Sequence, residues 1–236
     1  MTWKTLICAA VAAVLSTAVA QVLDDTFPGG REVGFWIRPG TMSSSRVTDL
    51  TGRVPLSLTN GVTIVGSALS FTGKTCCAIS RTGVYRNGEF TNGITMVAAF
   101  QQRRAPTNST DNGFLIGMDN YNLTVETTSM VGTVQGSGAF YLRAALPSPS
   151  NTFHVAALSC NPSGSRLRIW IDGKLAASGT NLFLGVTSNS MIWVGGTEYI
   201  GVHGFDGLIY GVGLYGYEMN HSEIQAITTR LFQGRR

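Results

Sequence analysis

Short apolar runs recur along this chain, and Gly, Asn, Asp, Ser or Pro separates them. No long stretch repeats at the helical period. Eleven runs read as strands: Gly34–Ile37, Thr63–Phe71, Ala78–Tyr85, Ile94–Gln101, Phe114–Met118, Tyr121–Thr127, Phe140–Leu146, Phe153–Cys160, Arg166–Ile171, Met191–Val194 and Leu208–Tyr215. Many short strands with frequent turn signals predict an all-β sandwich or barrel. A parallel α/β sheet would need intervening helices, and the pattern offers none.

Two runs alternate clearly. In Arg166–Asp172, Leu167, Ile169 and Ile171 share one face, while Arg166, Arg168, Trp170 and Asp172 share the other. Strand side chains alternate sides, so the second set is expected to face solvent. In Tyr121–Glu126, Tyr121, Leu123 and Val125 point inward, and Asn122, Thr124 and Glu126 point outward. One helix is predicted, from about Ser222 to Leu231. Asn220 with Glu223 three residues on makes a capping box, and Ile224, Ile227 and Leu231 share a face.

Residues 1–20 read as a signal peptide. Lys4 precedes an apolar run from Leu6 to Leu15, and Ala18-Val19-Ala20 is a small-x-small cleavage site. The expected mature chain starts at Gln21 and forms one domain over 21–236, secreted and extracellular. No later run is long enough to span a bilayer. Three sequons, at Asn108, Asn122 and Asn220, are glycosylation candidates in a eukaryotic host.

Composition narrows the field. Charged residues are 13% of 236 and hydrophobic residues 44%, which excludes disorder. The formal net charge is +4, but the basic residues are scattered. Without a basic stripe or helix, a nucleic-acid partner is not expected. Gly211-Val212-Gly213-Leu214-Tyr215-Gly216 spells a dinucleotide-binding pattern, yet it lies inside a predicted strand rather than between strand and helix. Its glycines leave a bare face for another element or a ligand.

The order of motifs from His154 onward carries a resemblance. Phe153-His154-Val155-Ala156 leads to Ser165–Ile171 and Asp172-Gly173-Lys174. Ile192-Trp193-Val194-Gly195-Gly196, Phe205-Asp206-Gly207-Leu208-Ile209 and Ser222-Glu223-Ile224 follow. This order resembles the laminin-G-like and pentraxin-like domains of the concanavalin A-like lectin/glucanase group, over roughly residues 33–230. The resemblance implies a two-sheet antiparallel jelly roll with one short C-terminal helix. It also implies binding of glycans, matrix proteins or lipids, often with Ca²⁺, and some relatives are glycosidases or lyases.

A lectin-like or adhesion module for an extracellular glycan or protein is therefore the first functional expectation. A structural component of an extracellular or virion surface is the second, and a polysaccharide hydrolase or lyase the third. No catalytic cluster is visible, because the acids are spread along the chain and no nucleophile or zinc motif occurs. For a sugar, Trp170 flanked by Arg166 and Arg168 is the strand candidate, with Trp193 and Tyr199 nearby. For calcium, the resemblance points to Asp49 and Asp206.

The mature chain holds three cysteines, Cys76, Cys77 and Cys160. Pentraxins carry a disulfide cysteine on the strand corresponding to that of Cys160, four residues earlier. A bond from Cys160 to Cys76 or Cys77, with Cys77 preferred, is expected on that basis. A Cys76–Cys77 ring and three buried thiols are the alternatives. The third cysteine would stay free or bridge two chains into a homo-oligomer.

Overall fold

A computed structural model describes residues 33–37, 46–48, 54–59, 61–73, 77–80, 92–104, 113–118, 121–135, 139–148, 150–161, 165–180, 191–196 and 204–234. The proposed signal peptide, Asp49, Cys76, Asn108 and Tyr199 lie outside these residues. Sixteen strands and one helix form among them. The strands are β1 (Val33–Ile37), β2 (Arg46–Thr48), β3 (Pro55–Leu58), β4 (Thr63–Val65), β5 (Ala68–Thr72), β6 (Ala78–Ile79), β7 (Ile94–Gln102) and β8 (Gly113–Met118). They continue as β9 (Tyr121–Val125), β10 (Ser129–Gln135), β11 (Ala139–Ala145), β12 (Phe153–Asn161), β13 (Arg166–Ile171), β14 (Lys174–Thr180), β15 (Ile192–Val194) and β16 (Asp206–Tyr215). The helix, α1, is His221–Gln233.

Sheet I has the order β14-β13-β12-β7-β16-β5-β4, with β1 also paired to β16. Sheet II runs β11-β10-β9-β8-β15-β6-β3-β2. Every pairing within the two sheets is antiparallel. Met96, Ala98, Phe100, Leu158 and Ile169 of sheet I meet Ile116, Leu123, Val134 and Ile192 of sheet II in one core. The two sheets approach closely at Gly132, where an added Cβ would strike Leu158. This is the predicted sandwich.

A second apolar layer lies on the other side of sheet I. Val97, Ala99, Val155, Ala157 and Trp170 pack there with Ile224 and Ile227 of α1. The predicted cap of that helix forms in full. Asn220 Oδ1 accepts the Glu223 N–H at 3.1 Å, and a Glu223 carboxylate oxygen accepts the Asn220 N–H at 2.7 Å. Gly211 and Gly213 are buried in β16, in register with Ala99 and Val97, on the face that α1 covers.

Two hairpins show how local sequence fixes register. At Asp172-Gly173 both residues have positive φ, +51° and +79°, and Ile171 pairs Lys174 across a two-residue turn. This is the turn whose twist suits a hairpin. The predicted single strand Thr63–Phe71 is instead split by Gly66, at φ +58°, into β4 and β5.

Candidate functional site

The outward face of sheet II is built by register. Core residues alternate with outward ones, and the outward ones align across seven strands. Ser57 pairs Ile79, Ile79 pairs Trp193, and Trp193 pairs Gly117. Gly117 then pairs Asn122, Asn122 pairs Thr133, and Thr133 pairs Tyr141. A neighbouring row runs Phe114–Thr124–Val131–Arg143. The large side chains Phe114, Trp193, Tyr141 and Arg143 stay partly or fully exposed, while Asn122, Thr124, Val131 and Thr133 between them are buried.

At the β11 edge, Arg143 is held by Glu126 through two hydrogen bonds, Nε to Oε2 at 3.2 Å and Nη2 to Oε1 at 3.1 Å. Its guanidinium also lies 5.6 Å from the centre of the Tyr141 ring, a cation–π contact. The hydrogen bond to Glu126 raises the Arg143 pKa further. At the middle of the face, the Oδ1 of Asn122 is buried and accepts no hydrogen bond.

Several expected site residues fall elsewhere. Trp170 is not a solvent-facing platform: it is 3% exposed. Its indole N–H donates to Ser159 Oγ at 3.0 Å, and its ring meets His221 edge-on at 5.4 Å. The outer face of β13 is covered by α1 at Trp170, whereas Arg166 at the start of the strand stays exposed as expected and Arg168 is half-buried. Arg166 and Arg168 are tied to Glu218, at 2.8 and 3.3 Å. They hold the β13 end to the segment entering α1. Trp193 alone of the described aromatic candidates remains on an accessible face.

The outward sequon is also corrected. Asn122 and Thr124 do leave the core, but both are buried, Asn122 at 6% exposure. Phe114 lies close by: a Cβ on Gly117 would lie against both Phe114 and Asn122. Asn220 is exposed, with its oxygen committed to the helix cap.

No disulfide joins Cys77 to Cys160. Cys160 is a free, buried thiol on sheet I. Cys77 precedes β6 on sheet II, with its Sγ 3.1 Å from Thr59 Oγ1. Burial, followed by the charge of Glu218, pushes the Cys160 thiol up to about 11.

Asp206 accepts a hydrogen bond from Arg103 at 3.2 Å, and Arg103 also donates to Ser70 Oγ. A guanidinium thus stands where a cation would bind. Among the described residues no group of three or more His, Cys, Asp or Glu gathers to hold a metal. The residues around Asp206 do not fit the expected calcium.

The other described carboxylates are engaged as well. Asp172 accepts from the Val155 N–H at 2.9 Å and faces His154 Nδ1 at 2.9 Å. Glu126 holds Arg143, Glu218 holds two arginines, and Glu223 closes the cap. Of the five, Asp206 starts β16, Glu223 lies in α1, and Glu126, Asp172 and Glu218 lie in three separate connections. No sequence signal marked the row through Asn122, because register becomes visible only when strands pair.

A family model described as the concanavalin A-like lectin/glucanases superfamily matches residues 89–225. No curated protein matches the sequence. Among solved structures, the Trypanosoma rangeli sialidase in complex with sialic acid superposes with a TM-score of 0.68 at 15% identity, covering 98% of this chain and 39% of that one. The botulinum neurotoxin serotype D binding domain gives 0.66 at 12% identity, covering 84% and 52%. The binding domain of Paraclostridial Mosquitocidal Protein 1 gives 0.64 at 16%, covering 86% and 53%. The chain spans about half or less of the length of these structures, and at such identities the likeness is one of fold. Since the model matches more than half of the 236 residues and the two sheets form the expected antiparallel sandwich, the chain belongs to the concanavalin A-like lectin/glucanase superfamily.

Proposed function

We propose that this chain is a secreted binding module that holds an extracellular glycan on the outward face of sheet II and does not cleave it. One observation carries the proposal. The outward face of sheet I is covered by α1 over parts of β7, β12, β13 and β16, whereas that of sheet II carries a registered row with partly exposed rings at Trp193 and Tyr141. Rings on a face with hydroxyl and amide neighbours suit the apolar and polar sides of a sugar. Binding without turnover is favoured because each described carboxylate is held in an ion pair, turn or cap. Glycoside cleavage instead needs two carboxyl groups facing each other across an open site. Three solved structures of similar fold bear on this: two are binding domains, and one is a sialidase in complex with sialic acid.

The test is a glycan array with the purified protein, followed by calorimetry and a reducing-end assay on each hit. Binding that Trp193→Ala abolishes, without release of reducing ends, is the expected result. Cleavage of a bound glycan, or binding indifferent to Trp193, overturns the proposal.

A further inference from the structure

We infer that β11 is a self-complementary edge through which two copies of this chain pair, antiparallel and about a two-fold axis at Leu142, so that sheet II of one copy continues into sheet II of the other. The inference stands on the edge of the sheet and holds whether or not the outward face binds a glycan.

The unequal edges of the sandwich are the starting point. A sheet edge leaves backbone N–H and C=O groups unpaired, and proteins guard it with very short strands, bulges or charges. On one flank the terminal strands β4 and β2 span three residues each. On the other, the terminal strands β14 and β11 span seven each. These two lie against each other, since a Cβ on Gly179 would stand 3.2 Å from the Phe140 ring. Of the two, β14 is guarded: its register with β13 shifts between Ile169 and Trp170, and it starts with Lys174. By contrast, β11 keeps unbroken register with β10 from Ala139 to Ala145 and pairs with no other strand among the described residues. Its one charge, Arg143, is already bonded to Glu126.

The side chains give a second, independent observation. Four large apolar side chains are exposed among the described residues, and two of them, Tyr141 and Leu175, stand on this flank at 50% and 48%. The core-facing Phe140 and Leu142 of β11 are only partly buried. An edge strand whose core side chains are left half open gains apolar burial when another strand lies beside it.

Symmetry picks the occupant. Antiparallel pairing of β11 with itself is isologous, and only the register with Leu142 on the axis uses the whole strand. Leu142 then meets Leu142 of the second copy, and Phe140 meets Ala144 of the second copy. Tyr141 meets Arg143 of the second copy, once on each side of the axis. Directly opposed side chains are the stabilising pairs of a sheet. Here a ring faces a guanidinium, the contact that Arg143 makes with Tyr141 at 5.6 Å within one chain. No like charges are opposed. The Arg143 side chain is 55% exposed, so it can reach across. Because the axis runs through the joined sheet, the outward faces of both copies look the same way, and two Trp193 rings are presented together to one surface.

The experiment is sedimentation velocity with backbone hydrogen exchange, from micromolar to near-millimolar protein, with and without reductant. Wild type, Tyr141→Lys and the double variant Tyr141→Lys/Arg143→Glu are compared. Wild type is expected to pass from one copy to two as concentration rises. Amides of Ala139–Ala145 should then exchange more slowly, and those of β14 should not change. Tyr141→Lys sets an ammonium opposite Arg143 of the second copy on both sides of the axis, and should weaken dimerisation about tenfold or more. The double variant sets that ammonium opposite a carboxylate and should recover most of the loss, which a merely destabilised chain would not. Wild type that stays monomeric throughout overturns the inference, as does a dimer indifferent to Tyr141→Lys. A double variant as weak as the single one overturns the register. A dimer that reductant dissolves is held by a cysteine, and one that protects β14 instead is paired through the other edge; either result overturns the inference. Should Tyr141→Lys fail to fold, the exchange pattern of wild type decides alone.

Discussion

His154 Nδ1 lies 2.9 Å from Asp172 Oδ2, while its Nε2 lies 3.2 Å from the Ser148 carbonyl oxygen. Both ring nitrogens therefore face acceptors, and only the imidazolium can donate to both. Burial to 3% exposure opposes that charge, but the bond to Asp172, then the carbonyl of Ser148, outweigh it and raise the pKa. The pair clamps the start of β12 to the Asp172-Gly173 turn and to the segment after β11.

A raised folded-state pKa has a definite sign. Its stabilisation is complete below the unfolded value, about 6.5 for histidine, and is lost as pH rises through the folded value. Thermal melts across that range are expected to show wild type losing stability as pH rises, and His154→Gln losing that part of the slope. Equal slopes in the two proteins would remove the imidazolium from the account.

Glycine positions separate backbone strain from steric conflict. Gly195 has φ +77°, and a Cβ there would lie within the Phe71 ring. Gly66 has φ +58° with nothing within 4 Å. Gly195→Ala should cost roughly 2–4 kcal/mol, combining overpacking with left-handed strain, and Gly66→Ala about 1 kcal/mol. Urea unfolding midpoints measure both. Equal losses would show that Phe71 moves aside freely.

The cap of α1 and the burial of Trp170 are linked. Asn220→Ala removes the acceptor for the Glu223 N–H and should cost about 1 kcal/mol. Because His221 lies against Trp170 at the helix start, loosening this turn should increase quenching of Trp170 by acrylamide. Measured with Trp3, Trp36 and Trp193 replaced by phenylalanine so that Trp170 is the sole reporter, unchanged quenching together with unchanged stability would argue against the coupling.

Cys160 should resist alkylation in the native protein at neutral pH and react once the protein is unfolded. It is buried, and its pKa of about 11 keeps the thiol protonated. Peptide mapping without reductant is the measurement, and a linked Cys77–Cys160 peptide is the outcome that contradicts the structure. The same digest, on protein from a glycosylating host, should find Asn122 unmodified.

Periodicity made the fold legible wherever strands carry bulky inward residues, as in β7, β12 and β13. It failed at β10 and β14. In β10, Gly132 replaces an inward side chain because Leu158 fills that space. The strand β14 is a largely exposed edge with no buried run to reveal it. Local chemistry was enough for the Asn220 cap, whose partners are three residues apart. Trp170 was misplaced for the opposite reason: alternation tells which side a residue takes, not what covers that side. The row from Trp193 through Asn122 to Tyr141 joins four consecutive strands, β8 to β11, with β15 about 75 residues away from β8, so it shows only once the strands pair.

β16 is the seam of sheet I. It pairs with β7 along one side, and along the other with β5 first and then β1. A nascent chain that has emerged only as far as Gly204 holds β7, β5 and β1 with an empty slot between them. Sheet I cannot close until β16 itself arrives, and Val33 then finds Tyr215 from the opposite end of the domain. Such distant pairing makes assembly slow and postpones it until every strand of the sheet has been made. Until then β7 keeps an unsatisfied edge, which a holding factor or a second chain can occupy.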